Sequence, residues 1–192
     1  MTAPRPAVFL DRDGTVNVDS GYVARPEDVV LIEGAAPAIA RLNAAAVPVF
    51  IITNQSGIGR GYYDEAAYAA VEAKLGQLLA AKGARVDATY HCPHSPDVPC
   101  ECRKPGVKLF WDAAAAHSLD LARSWYVGDR LRDLEPAATL KGRGILVPRI
   151  STPSGDVVAA AERFIVATSL DAAVTRVLEG MRTPLTGARD DG

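Results

Sequence analysis

Short apolar runs recur along the chain, each closing on a polar or turn residue, and longer stretches with apolar positions three or four apart lie between them. Ala7-Val8-Phe9-Leu10 ends at Asp11, Val47 to Ile52 ends at Thr53, and Ser124 to Val127 ends at Gly128-Asp129. Gly144 to Val147 and Phe164 to Val166 are two more such runs. Runs of this length between turn residues predict buried strands. Helices are predicted over 35–46, 64–82, 107–117, 131–140 and 170–178. In the second of these, Ala67, Val71, Leu75, Leu78 and Leu79 share one stripe, and Asp64 suits its N-cap. Strands alternating with helices predict an α/β fold, a parallel, doubly wound sheet with helices on both faces. The segments 17–28, 88–103 and 148–155 read as loops, with no room for a large cap domain. A single domain over 1–180 is expected, followed by a flexible tail over 181–192.

Asp11 and Asp13, Thr53 and Asn54, and Asp129 all fall at the carboxyl ends of predicted strands. In open parallel sheets a ligand binds beyond those ends, so three loops aim their chemistry at one place. Composition narrows the ligand. Net charge is −2, which gives no global basic field for nucleic acid. No apolar run approaches the roughly 18 residues of a membrane span, and no signal-peptide core follows the first residues. The expected setting is the cytoplasm, the expected state a monomer, and the expected partner a small phosphorylated metabolite.

Asp11-Arg12-Asp13-Gly14-Thr15 offers two carboxylates with different roles. The first can attack phosphorus when a metal offsets charge repulsion. The second can serve as general acid and then as base. Gly14 permits the sharp turn that points amides at a phosphate. An Asx-rich turn is the alternative for so short a motif. Thr53-Asn54-Gln55-Ser56-Gly57 supplies a hydroxyl and backbone N–H groups for a phosphoryl oxygen, or else an ordinary helix cap. Lys104 supplies a fixed cation for the transferring group. Asp129, with Asp11, the Asp13 carbonyl and substrate oxygens, suits Mg²⁺. Asp133, one helical turn on, either supports that shell or caps the helix.

All three cysteines lie within the eleven residues 92–102. An odd number in an apparently cytosolic chain argues against disulfides. Cys92-x-His94 and Cys100-x-Cys102 form two pincers that match tetrahedral, closed Zn²⁺. His91 is the competing imidazole, less favoured because it adjoins Cys92. Such a clip, spanning the loop 91–103, would fix the segment that presents Arg103 and Lys104.

Taken in order, Asp-x-Asp-Gly-Thr, then Thr53, Lys104 and Gly128-Asp129 resemble the haloacid dehalogenase (HAD) superfamily of phosphatases across roughly Val8 to Val147. The resemblance implies a Rossmann-like three-layer sandwich with a minimal cap. It also implies Asp11 as nucleophile, Asp13 as acid/base, Thr53 and Lys104 as phosphoryl stabilisers, and Asp11, Asp13 and Asp129 as magnesium ligands. The Cys-x-His…Cys-x-Cys-Arg-Lys-Pro loop is similar to that of the histidinol-phosphatase and heptose-bisphosphatase group. Asn17 to Val23 and Gln55 to Gly61 resemble the substrate loops of the heptose enzymes. By that likeness Asp19, Ser20, Gly21, Tyr22, Thr53, Asn54, Gln55, Ser56, Arg103, Lys104 and Arg130 contact substrate. Arg60, Arg103 and Arg130 suit a second phosphate, and Asn17 and Asp19 suit sugar hydroxyls. The implied reaction is removal of the C7 phosphate of a heptose 1,7-bisphosphate. After Lys104-Pro105, the stretch Gly106-Val107-Lys108-Leu109-Phe110 departs towards the histidinol type, which keeps histidinol phosphate as an alternative. A phospho-receiver domain would also use Asp, Thr and Lys, but after a middle strand and without a second carboxylate ready to hydrolyse the adduct.

Overall fold

The computed structural model describes residues 3–182. Six parallel strands form one sheet in the order β3-β2-β1-β4-β5-β6. They are β1 (Val8–Leu10), β2 (Val49–Asn54), β3 (Ala88–Cys92), β4 (Trp125–Gly128), β5 (Arg143–Leu146) and β6 (Ile165–Val166). Seven helices accompany them: α1 (Ala35–Ala44), α2 (Ser56–Gly59), α3 (Glu65–Ala80), α4 (Lys108–His117), α5 (Leu131–Leu140), α6 (Ser154–Arg163) and α7 (Leu170–Arg182). The strand order reverses at β1, whose neighbours are β2 and β4. That reversal opens the crevice where such sheets bind ligands.

Period-two alternation divides the core into two layers. Val8 and Leu10 face one side with Val49 and Ile51, beneath Ile39 and Leu42 of α1, Val71, Leu75 and Leu79 of α3, and Val174 and Val177 of α7. Ala7 and Phe9 face the other side with Phe50, Ile52 and Tyr126, against Leu109, Phe110 and Ala113 of α4. The three-layer α/β sandwich expected from the sequence is therefore present. Asp64 caps α3 as expected, accepting a hydrogen bond from the Ala67 N–H at 2.8 Å.

Three expectations need correction. Residues 88–103 are not loop throughout, because β3 opens that stretch and pairs with β2 from Phe50↔Ala88 to Asn54↔Cys92. This edge strand has a single fully buried residue, Cys92, so no apolar run marked it. Helix α6 begins at Ser154, inside the expected loop 148–155, and only Ala160 of it is buried. Helix α7 continues through Met181, which packs on the core, to Arg182. The rest of the expected tail, 183–192, lies outside the described residues. Among the described residues no helix is long and apolar enough to cross a membrane.

Candidate active site

Asp11 follows β1 directly, and its N–H donates to the Val127 carbonyl at 2.8 Å, which ties the first motif to β4. Gly14, at φ +87°, then turns the chain. A Cβ there would stand 2.7 Å from the Asp129 carboxyl carbon, so glycine is what lets Asp129 approach. Asp11, Asp13, Thr53, Lys104 and Asp129 line a single polar cavity of about 140 Å³ at the sheet's carboxyl edge.

Lys104 lies at the centre of the charge arrangement. Its buried ammonium stands 2.6 Å from Asp11 Oδ1 and 2.8 Å from Asp133 Oδ1. Burial acts to lower its pKa, but Asp11 and Asp133 outweigh it and leave the group above the ordinary lysine value. Burial pushes Asp11 up to about 7 against the pull of Lys104, with Asp133 and Asp13 adding to the rise. Asp129 is pushed up to about 6, by burial first and by Asp133 second. One ammonium among three buried carboxylates leaves excess negative charge that a divalent cation would offset.

The carboxylates of Asp11, Asp129 and Asp133 bring oxygens within 4.8 Å of one another. Among the described residues Asp129 Oδ2, although buried, has no hydrogen-bond partner; Arg130 Nε stands 3.2 Å from it. This donor set, hard oxygens with one held open, fits Mg²⁺. Asp133 caps α5, accepting from the Arg130 N–H at 3.0 Å, and its carboxylate also lies in the cluster with Asp11 and Asp129. The Asp13 side chain is not in the carboxylate cluster. It accepts from Arg12, from Asn17 Nδ2 at 2.9 Å and from Gln55 Nε2 at 2.9 Å. Any metal contact from Asp13 is left to its backbone carbonyl.

Asp19, Gly21, Tyr22, Asn54, Gln55, Ser56, Arg103 and Arg130 line the cavity, and Ser20 and Arg60 do not. Arg60 is exposed. Several lining residues serve the frame before any ligand. The Asn54 amide donates to the Lys104 carbonyl at 3.2 Å and accepts from the Lys104 N–H at 2.9 Å, clamping the lysine to the end of β2. Gln55 is buried and donates to Thr53 Oγ1 at 2.8 Å as well as to Asp13. Asn17 is buried on Asp13, so it is not open to a sugar hydroxyl. The sequence reading omitted three lining residues, Tyr63, Arg132 and Asp133, from the assigned site. The i+4 spacing from Asp129 was the only signal for Asp133. Lys108 pairs with Asp112 on α4 at 2.6 Å, and none of Gly106, Val107, Lys108 and Leu109 lines the cavity.

The thiols gather next to this cavity. Cys92 Sγ lies 3.6 Å from Cys100 Sγ and 3.0 Å from Cys102 Sγ. His94 Nδ1 lies 3.6 Å from Cys92 Sγ and 3.2 Å from Cys102 Sγ. Ligands at ~2.3 Å from a tetrahedral centre are roughly 3.7 Å apart, so the cluster is close to the size of a zinc site. His91 points elsewhere, pairing with Glu65 at 3.0 Å and stacking on Tyr68. Burial pushes the Cys92 thiol up to about 12, with the Cys102 thiol contributing. Three thiols and an imidazole at this spacing suit a closed Zn²⁺ site, and binding would displace the thiol protons. The Gly59 N–H donates to the Pro93 carbonyl at 2.8 Å, and a Cβ on Gly59 would stand 2.5 Å from the Ser95 nitrogen. The loop of thiols is thus seated on α2 as well as joined to Lys104.

Comparison with known proteins agrees with this geometry. The HAD-hydrolase-like family model matches residues 101–173. A D-glycero-beta-D-manno-heptose-1,7-bisphosphate 7-phosphatase of Photorhabdus laumondii is 39% identical, over 77% of this chain and 82% of its own. The Bordetella bronchiseptica protein of the same description is 46% identical, over 68% of this chain and 74% of its own. A crystal structure of D,D-heptose 1,7-bisphosphate phosphatase from B. bronchiseptica, complexed with magnesium and phosphate, superposes with a TM-score of 0.81 at 39% identity. That match covers 91% of this chain and 98% of the other.

Proposed function

The chain is a phosphatase of the HAD-like heptose-1,7-bisphosphate 7-phosphatase family, and from that membership we propose that it uses Mg²⁺ to remove the 7-phosphate of D-glycero-beta-D-manno-heptose 1,7-bisphosphate through a phospho-aspartate on Asp11. The observation that carries this reading is the convergence of Asp11, Thr53, Lys104 and Asp129, from four separate segments, on one cavity.

The Asp11 carboxylate oxygen attacks phosphorus, and the bond from phosphorus to the sugar oxygen breaks. Asp13 gives its proton to the departing sugar oxygen, then takes one from the water whose oxygen attacks the phospho-aspartate. Inorganic phosphate leaves, and both side chains return to their starting forms. Thr53 and Lys104 hold the phosphoryl oxygens, and Lys104 also keeps two carboxylates from repelling the incoming anion. Asp11, Asp129 and the Asp13 carbonyl, with Asp133 behind, would hold Mg²⁺, which would supply the positive field that lets an anionic nucleophile meet a phosphate. Arg103, whose Nη1 is buried and without a hydrogen-bond partner among the described residues, and Arg130 at the cavity wall suit the second phosphate. Cys92, His94, Cys100 and Cys102 would hold Zn²⁺, which would brace the loop that presents Arg103 and Lys104.

Phosphate release with Mg²⁺ tests the reading. The heptose bisphosphate should turn over with a kcat/KM at least about a hundredfold above that of histidinol phosphate. Preference for histidinol phosphate would overturn the substrate assignment and leave the chemistry standing.

A further inference from the structure

Arg12 sits between the two carboxylates of the first motif, yet it is 1% exposed and is among the largest fully buried side chains of the protein. A buried guanidinium must be paired. Its Nη2 donates to Asp13 Oδ1 and Oδ2 at 3.0 and 2.9 Å, and Nε reaches both at 3.2 Å. Nη1 donates to Glu72 Oε1 at 2.8 Å. The Tyr68 ring lies against the guanidinium, 5.6 Å from its carbon. Tyr68 and Glu72 are one turn apart, so a single face of α3 supplies both ring and carboxylate. Asn17 and Gln55 complete the hold on Asp13, and the Tyr63 hydroxyl fixes the Gln55 amide by donating to Oε1 at 2.6 Å.

Although Asp13 lines the cavity, both its oxygens already accept from these donors, which leaves little lone-pair capacity for a leaving oxygen. Asp13 must therefore come off Arg12 and take up a proton from solvent in the cavity before it can give one to the leaving oxygen. With Asp13 as its sole partner, Arg12 would be left as an isolated buried cation at that moment, which opposes the movement. Glu72 shares the charge of Arg12 before the movement and compensates it afterwards. We infer that the Arg12–Glu72 pair is a docking post for Asp13, with Glu72 the positioning residue that makes the acid/base releasable. The inference rests on the reading of Asp13 as acid/base, and adds a site on α3 that touches neither substrate nor metal.

The test is the dependence of kcat/KM on the leaving group. An alkyl phosphate needs its leaving oxygen protonated, whereas p-nitrophenyl phosphate releases a stable phenolate and does not. Glu72→Gln should lose about tenfold on the alkyl substrate and stay within about twofold on the aryl one. Glu72→Asp, which keeps the charge, should recover most of the loss. Equal losses on both substrates, or no recovery with Asp, would overturn the inference. Asp13→Asn is the reference, expected to lose about a thousandfold on the alkyl substrate and far less on the aryl one. If it loses equally on both, the acid/base role itself fails; if it is selective and Glu72→Gln is not, only the docking post fails. A measurement on the unaltered protein guards against misfolded variants. Crystals with Mg²⁺ and vanadate should show Asp13 turned off Arg12 while Arg12 and Glu72 stay paired, and Asp13 still seated on Arg12 there would also overturn it.

Discussion

The carboxylate cluster and the thiol cluster lie side by side but are built on opposite principles. The first draws Asp11, Lys104, Asp129 and Asp133 from three segments spread between positions 11 and 133, and packs them with more negative than positive charge. The second draws its four groups from residues 92–102, and their side chains lie against one another. A site with open oxygens and raised carboxyl pKa values can exchange ligands, as turnover requires. A closed set of four donors leaves no position for a substrate and can only hold the chain. The contrast teaches that, under the proposed reading, any influence of the second cluster on the reaction runs through the backbone of Lys104.

The largest effect that would break this contrast is at the nucleophile. Asp11→Asn should lower phosphate release by more than about a thousandfold, with thermal melting unchanged to within a few degrees. Substantial activity in a steady-state assay would contradict the division of labour. At the second cluster Cys92→Ser should do the reverse, lowering the melting temperature by roughly 10 °C, as expected for the loss of several kcal/mol. Metal analysis of the unaltered, freshly purified protein should find about one zinc per chain. The link between the clusters is sharpened by Asn54→Ala, which removes both bonds to the Lys104 backbone. It should cost about 1–2 kcal/mol in denaturant unfolding and about tenfold in kcat, with KM moving less.

The smallest effect is one of pH. Asp11 and Asp129, raised to about 7 and about 6 from 3.8, bind protons in the folded protein at pH values where the unfolded chain has already released them. Their contribution to the stability of the metal-free protein is full below about pH 4 and is lost as pH rises through 6 and 7. Mg²⁺ binds the ionised forms, so its stabilisation grows in the same direction. Melting scans should show a larger increment from Mg²⁺ at pH 8 than at pH 5.5, and the opposite order would contradict the assignment.

The two clusters also differ in how far the sequence revealed them. The thiol pincers are local, and their spacing picked out the four side chains that the fold brings together, His94 and not His91 among them. The strand-end carboxylates were legible because a parallel sheet sends all its strand ends to one edge. Roles that depend on tertiary partners were not. Nothing in the order of residues says that the Asn54 and Gln55 amides face inward to Lys104, Thr53 and Asp13, or that Asn17 is buried on Asp13. Arg12 looked like a spacer, since the Glu72 that pairs with it lies sixty residues away. In the fold, β3 escaped notice because an edge strand half open to solvent needs no apolar run, and α6 because it buries so little.

The contact between Gly59 and Pro93 has a consequence for anyone who wishes to transplant the thiol loop. The loop rests on the bare backbone of α2, so a graft of residues 91–103 alone would arrive without its footing. The helix turn at Ser56–Gly59 and the end of β2 must travel with it, as one module whose rigidity is shared between metal and main chain.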